Sequence, residues 1–186
     1  MYIFGTDKEK HIIKLFRRGD ASAMDCLYSE YADYLTAVCA RYIPDDDELK
    51  DVLQESFIKI FSKIEKFNYR GNGSLRAWIT RIVINESLLC IRKKKNSPFI
   101  NIEKEPPDIQ DEDPEIGNLN EEVLTNMIRL LPDGYRTVFN LFVIEGKSHK
   151  EIAKILNIKA DSSASQFYKA KKQLAKMIKD YRLKQE

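Results

Sequence analysis

The sequence predicts an all-α protein: two small helical domains joined by a flexible acidic linker, the second ending in a helix-turn-helix. Three observations carry this. Apolar residues recur at spacings of three and four through most of the chain, the period of a helix face. Seven Gly and six Pro in 186 residues are few, which favours helices. Charge falls in blocks that the net value of +2 conceals. From Lys66 to Lys95 there are eight Lys/Arg against one acid, Glu86. From Phe99 to Asn118 there are seven acids against one base, Lys104, and from Lys150 to Lys184 ten bases against three acids. Two basic blocks split by an acidic one suit a polyanion gripped at two places, although charge runs also serve simply as solvated faces.

A helix over residues 8–18 closes at Gly19. Asp20 is placed to cap the next, which carries Ala23, Leu27, Tyr31, Tyr34, Leu35, Val38 and Tyr42 inward and stops at Pro44. The acidic run from Asp45 to Glu48 suits the positive end of a following helix, expected over residues 47–66. There Leu49, Val52, Leu53, Ser56, Phe57, Ile60, Phe61 and Ile64 form an unbroken stripe. The opposite face holds Lys50, Asp51, Gln54, Glu55, Ile58, Lys59 and Ser62, with Ile58 the one apolar residue among polar ones. Residues 68–73, Asn-Tyr-Arg-Gly-Asn-Gly, read as a loop. Ser74 is expected to cap a helix to about Lys94, with Leu75, Trp78, Ile79, Ile82, Val83 and Leu89 inward and Trp78 as a core anchor.

Residues 97–118 contain Pro98, Pro106, Pro107 and Pro114, are acidic and have no periodicity. They lack the apolar area to offset ordering entropy. Asn120 is placed to cap a helix to Leu131, Pro132-Asp133-Gly134 to break it, and residues 135–145 to form another, closed by Gly146. Domains are therefore expected at 1–96 and 119–186, with the tether between.

The last stretch, Ser148 to Leu174, reads as two helices and a tight turn. Ser148 and Glu151 have the spacing of a capping box. Asn157 suits the left-handed turn position. Asp161 or Ser162 would cap the second helix, whose buried side is read as Phe167, Ala170, Leu174 and Ile178. Its other side, Ser165, Gln166, Tyr168, Lys169 and Lys172, is basic and rich in hydroxyls. This is the pattern of a helix-turn-helix, whose second helix enters the major groove; an ordinary helical hairpin with a solvated lysine face shares it.

Other chemistries lack their residues. Cys26, Cys39 and Cys90 have no paired spacing and read as small buried hydrophobes. His11 and His149 have no cluster of ligands, so no metal or other cofactor is expected. No nucleophile set or phosphate loop is present, so an enzyme is not expected. No apolar run reaches membrane-spanning length, and the N-terminus, MYIFGTDKEK, lacks the layout of a signal peptide. The expected location is the cytoplasm, without membrane insertion.

Particular motifs go further. Asp51-Val-Leu-Gln-Glu-Ser-Phe57, Phe67, Arg70-Gly71, Ser74-Leu-Arg-Ala-Trp78 and Arg81-Ile-Val-Ile-Asn85 resemble the second region of RNA polymerase sigma factors of the extracytoplasmic-function type. Leu130-Leu-Pro132, Tyr135-Arg-Thr-Val-Phe139 and Glu145-Gly-Lys-Ser-His-Lys-Glu-Ile-Ala153 resemble their fourth region. The two stand in family order and span nearly the whole chain.

The resemblance implies that Asp51, Gln54, Glu55 and Ile58 dock on the clamp helices of the largest subunit of core RNA polymerase. It implies that residues 68–74 and the following helix capture the minus-ten element of promoter DNA as melted strand. It also implies that the second domain reads the minus-thirty-five element as duplex while seated on the polymerase flap, and that the linker threads toward the active-site and RNA-exit path. Family members commonly have an anti-sigma partner. Residue chemistry fits: flipped bases need amides and hydroxyls and phosphates need cations, supplied at the minus-ten site by Asn68, Arg70, Asn72, Ser74, Arg76, Arg81 and Asn85. At the minus-thirty-five site the candidates are Ser162, Ser165, Gln166, Tyr168, Lys169 and Lys172, with Gln suited to adenine and Lys to guanine. The chain departs from the family pattern at Ala164, where a basic residue is common, at Ser163, where an aliphatic one is, and at Asp161, Asn157 and Leu89. Two other readings of the residues stay open: a stand-alone helix-turn-helix regulator, or a helical adaptor with weakened DNA affinity.

Overall fold

A computed structural model of the chain describes residues 8–94 and 119–184, and among them every regular element is helical and no strand occurs. The chain divides into two compact units, the division falling between Cys90 and Ile91. The expected boundary at residue 96 and the linker over 97–118 lie outside the described residues.

The first unit is built from α1 (Lys8–Arg17), α2 (Ala23–Ala40), α3 (Asp46–Lys63) with a short 3-10 turn (Ile64–Lys66), and α4 (Ser74–Lys94). Gly19 ends α1 at φ 65°, a conformation that costs a residue without Cβ little. Asp20 does not cap α2. Its carboxylate accepts from the amide and hydroxyl of Ser22 at 2.9 and 2.7 Å, an Asx turn just ahead of the first helical residue. Asp45 caps α3, accepting from the amides of Asp47 and Glu48 at 3.2 and 3.0 Å. Leu27, Leu35, Tyr42, Ile60, Leu75 and Ile79 are fully enclosed and form the centre of the unit. The α3 stripe is buried as read at Leu49, Val52, Ser56, Phe57, Ile60 and Ile64, while Leu53 and Phe61 are half-buried at its edge.

Three expectations fail on α4. Ser74 is its first helical residue rather than its cap, and its Oγ accepts from the amide of Arg70 at 3.2 Å. Leu89 is 41% exposed, and Ile84, Leu88 and Ile91 are buried in its place. The buried arc of α4 also includes Val83 and Ser87, so it is wide enough that a single stripe misassigns its edge. Trp78 is half-buried rather than central, its ring 5.0 Å from that of Phe67.

The second unit holds α5 (Glu121–Arg129), α6 (Asp133–Phe139) running into a π-helical segment (Asn140–Ile144), α7 (His149–Leu156) and α8 (Ala160–Leu183). Asn120 caps α5, accepting from the amide of Glu122 at 3.0 Å. The Pro132-Asp133-Gly134 step does end α5, but α6 begins inside it, at Asp133. Arg136 is buried and forks back to the end of α5. It donates to the carbonyls of Leu131 and Arg129 at 2.6 and 3.1 Å and pairs with Asp133 at 2.5 Å. The final carbonyls of one helix are thus satisfied by a cation from the next.

The capping box at Ser148 and Glu151 is present, and Asn157 ends α7 at φ 56° and ψ 50° in the left-handed region. Residue Lys159, not Asp161 or Ser162, stands at the N-cap of α8, and Asp161 lies in the first turn where its charge favours the helix dipole. Met127 and Leu131 of the α5 segment meet Ala170, Leu174 and Ile178 of α8 in a shared core.

The capping box gives this unit a pH response. Hydrogen bonds from the amide and hydroxyl of Ser148 hold the Glu151 carboxyl below its usual value of 4.5. A depressed carboxylate adds stability that is present above the ordinary Glu range and lost as pH falls through the lowered value. Acid titration followed by circular dichroism should show Glu151→Gln, which removes the titrating group, flattening the acid limb of unfolding while leaving neutral-pH helicity near wild type; an unchanged acid limb overturns this.

Candidate nucleic-acid interface

The first candidate site is the loop between the 3-10 turn and α4. Gly71 and Gly73 sit at φ 116° and 86°, so the chain turns sharply where no side chain could follow. The first amides of α4 would point unpaired at solvent, but Glu9 of α1 meets them. Its two carboxylate oxygens accept from the amides of Leu75 and Arg76 at 3.0 and 2.9 Å, and the Tyr31 hydroxyl lies 3.4 Å away. Burial and the neighbouring Glu9 charge push the Tyr31 hydroxyl pKa above its usual value, so it stays protonated.

Around this junction Asn68, Arg70, Asn72 and Arg76 are exposed and Ser74 is half-buried. Arg81 and Asn85 are exposed further along α4, and their spacing from Ser74 keeps all three on one helix face. The Arg76 guanidinium lies 4.0 Å from the ring centre of Tyr34, whose hydroxyl meets that of Thr80 at 3.1 Å. Arg76, two residues on from Ser74, stands on the other side of α4 by the same spacing, so the face itself brings together Ser74, Arg81 and Asn85, a hydroxyl, a cation and an amide of the kind that a single strand with displaced bases needs. Lys59 and Glu86 form an ion pair that ties α3 to α4 beside it.

The second candidate site is the outer face of α3. Asp51, Gln54, Glu55 and Ile58 are all exposed and share one face by their spacing. Ile58 is 52% exposed among them, an apolar residue on an acidic and amide surface.

The third is the helix-turn-helix. Tyr168 is exposed, and Ser162, Ser165, Lys169 and Lys172 are half-buried. Gln166 departs from expectation. It is 4% exposed and its Oε1 has no hydrogen-bond partner among the described residues, so it does not stand on the basic face. The cause lies in what α8 packs against. The Phe167 ring lies 4.4 Å from that of Phe142, tilted by 39°, Phe142 stacks at 4.6 Å on His149, and His149 Nδ1 shares a hydrogen bond of 3.0 Å with the hydroxyl of Ser163. This closes Ser163, Gln166 and Ala170 against the rest of the unit. Ser163 therefore takes an inward place normally suited to an aliphatic residue, its polarity met by a histidine fourteen positions earlier. The face left open is Asp161, Ala164, Ser165, Tyr168, Lys169 and Lys172.

Sequence reasoning missed Glu9 entirely; a carboxylate in the first turn of a short basic helix carries no local sign of its use. Among the described residues no group of three or more His, Cys, Asp or Glu gathers into a metal-binding set, and no helix is long and apolar enough to cross a membrane. Cys39 is buried, and burial raises its thiol pKa to about 11, which keeps it a neutral core group.

Known proteins match both units. The family model for sigma-70 region 2 matches residues 27–97 and that for sigma-70 region 4 matches residues 121–174. The ECF RNA polymerase sigma factor SigW of Bacillus subtilis is 28% identical over 183 residues, covering 92% of this chain and 97% of SigW. The RNA polymerase sigma-H factor of Pseudomonas aeruginosa is 25% identical over 184 residues, covering 92% and 94%. The sigma factor RpoE of Bartonella quintana, solved in complex with the anti-sigma factor NepR, superposes with a TM-score of 0.50 at 19% identity, covering 86% of this chain and 98% of RpoE. Two helical units carrying these regions in this order define a sigma-70-type factor. The chain belongs to the extracytoplasmic-function sigma factors of RNA polymerase.

The burial of Gln166 separates two outcomes in DNA binding by the helix-turn-helix. Gln166→Met should leave selectivity unchanged at every base position, and cost less than about 1.5 kcal/mol of stability because volume is conserved. Lys169→Ala should cost about 1–3 kcal/mol at one base position if it reads a base, or weaken all sequences alike if it meets phosphate. Competition binding against a randomised duplex library checks both; altered selectivity in Gln166→Met contradicts the buried placement.

Proposed function

We propose that the protein binds core RNA polymerase and directs it to initiate transcription at particular promoters. The observation that carries this is the ordered pair of sigma-70 regions, each on its own helical unit and each presenting a surface of suitable chemistry. The α3 face of Asp51, Gln54, Glu55 and Ile58 docks on the clamp helices of the largest polymerase subunit. The loop and α4 face of Asn68, Arg70, Asn72, Ser74, Arg76, Arg81 and Asn85 hold the melted minus-ten strand. In the second unit Ser162, Ser165, Tyr168, Lys169 and Lys172 approach the minus-thirty-five duplex, with that unit on the polymerase flap.

The domains so assigned are residues 1–96 and 119–186, with 97–118 as the tether. Catalysis belongs to the polymerase, no cofactor is required, and the site of action is the cytoplasm. An anti-sigma protein is a further proposed partner, supported by the NepR-bound RpoE of similar fold.

A second reading gains from the buried Gln166 together with Ala164 and Asp161 on the open face: a helical adaptor with weakened DNA affinity. Salt-dependent DNA binding by the chain separates the two, because phosphate contacts release counterions.

Run-off transcription with core polymerase on a genomic fragment library tests the main reading. Discrete transcripts that need this protein support it, and their absence from every fragment overturns it. The double variant Gln54→Ala, Glu55→Ala should weaken core affinity roughly tenfold, about 1.4 kcal/mol, while leaving thermal unfolding unchanged because both residues are exposed. Unchanged core affinity in a pull-down titration contradicts the docking face.

A further inference from the structure

Two side chains of α1 hold the two ends of the loop that precedes α4. At its far end the carboxylate of Glu9, 4% exposed, accepts from the amides of Leu75 and Arg76. At its near end Arg17 donates to the carbonyl of Phe67 at 3.4 Å, a longer and exposed contact. Within the loop, Ser74 Oγ accepts from the amide of Arg70. Backbone bonds from Ser74 to Gly71 and from Ala77 to Gly73, at 3.1 and 2.9 Å, and the Phe67–Trp78 ring contact also hold it, while Gly71 and Gly73 carry no side chain and have open space where a Cβ would stand. The residue whose amide Glu9 holds, Arg76, also has its guanidinium set over Tyr34 of α2.

These contacts lie far apart in sequence and converge on one short stretch. The core side chains Leu75, Ile79 and Val83 anchor α4 whether or not its first amides are capped. Loss of the Glu9 carboxylate therefore frees the loop and the first turn before it loosens the helix. A strand with displaced bases is bound well only by a loop already in the binding path, and affinity falls with the fraction of molecules that hold it.

We propose that Glu9, assisted by Arg17, is a positioning residue for capture of the melted promoter strand. It touches no nucleotide and acts through residues 67–76. This rests on the reading that the same loop holds the minus-ten strand.

The test uses holoenzyme reconstituted from the full chain and core polymerase. The probe is a fluorescent single-stranded oligonucleotide copied from the non-template strand upstream of a transcript start mapped for this protein. Glu9→Gln keeps the shape but sets an amide NH2 against one of the two backbone N–H groups. It should weaken oligonucleotide binding about five- to tenfold, with core affinity and duplex minus-thirty-five binding at wild-type values. Arg17→Ala, at an exposed position, should weaken it about twofold, in keeping with one long hydrogen bond. Wild-type oligonucleotide binding by Glu9→Gln overturns the proposal, and so does an equal loss of core affinity, which marks a merely structural role. If Glu9→Gln does not fold, Arg17→Ala decides, and unchanged binding there overturns the proposal. Arg70→Ala with Asn72→Ala serves as the control on the loop itself. If that pair loses the oligonucleotide while the α1 variants keep it, the positioning role falls and the loop reading stands. If none of the variants loses it, both fall.

Discussion

Short helices leave many backbone groups without partners at their ends, and this structure depends on how those ends are met. The contact that most else hangs on is the buried Glu9 carboxylate against the first amides of α4. A carboxylate hidden from water is costly unless it accepts hydrogen bonds. Here it receives two amides and lies near the Tyr31 hydroxyl, and the helix dipole adds to the attraction. The contact joins α1, α2 and α4 at one point and leaves the glycine-bearing loop outside it. In the second unit Arg136 has the matching role with reversed sign, placing a buried cation on the last carbonyls of α5. Removing either ion alone leaves one buried backbone partner, the Leu75 amide or the Leu131 carbonyl, without it, which carries a desolvation cost.

These two contacts also explain what was legible in the sequence. Caps whose partner lies close along the chain could be read directly: Asn120, the Ser148 and Glu151 box, and the left-handed Asn157, whereas Asp45 reads only as part of an acidic run and is in fact the cap of α3. Where the partner lies far along the chain, local rules assigned the wrong residue. Ser74 has the right type and place for a cap, yet Glu9, sixty-six positions before Leu75, takes the role. Periodicity located α4 and α8 but misplaced residues where a helix is covered by more than one neighbour. Leu89 was assigned inward and faces out; Gln166 was assigned outward and is enclosed. A polar side chain inside a core has no hydropathic signature, and the serine and histidine that accompany Gln166 disguise the buried arc further.

The candidate surfaces divide along the same line. The loop and α4 face gather exposed cations and amides whose types alone suggested a strand-binding role, and the α3 face follows from a single regular helix. The basic face of α8 is narrower than composition suggests, because the aromatic stack of Phe142, His149 and Phe167 turns part of the helix inward. With Ala164 and Asp161 on what remains, few side chains are left to distinguish one base pair from another. A second unit of modest reach suits the proposed function, in which the first unit would hold the same DNA and so raise the effective concentration of the second.

The π-helical segment at Asn140–Ile144 has a consequence of another kind. Its wider hydrogen bonds, such as the amide of Glu145 to the carbonyl of Asn140, accommodate one residue more than an α-turn would. One residue of helix corresponds to a rotation of about 100°. The direction in which the chain leaves α6, and hence the aim of α7 and α8, is therefore a matter of counting. Apolar residues could be exchanged along this segment with little change of aim, whereas a single insertion or deletion would swing α8 to another bearing. Length, more than composition, is what this stretch must preserve as the sequence drifts.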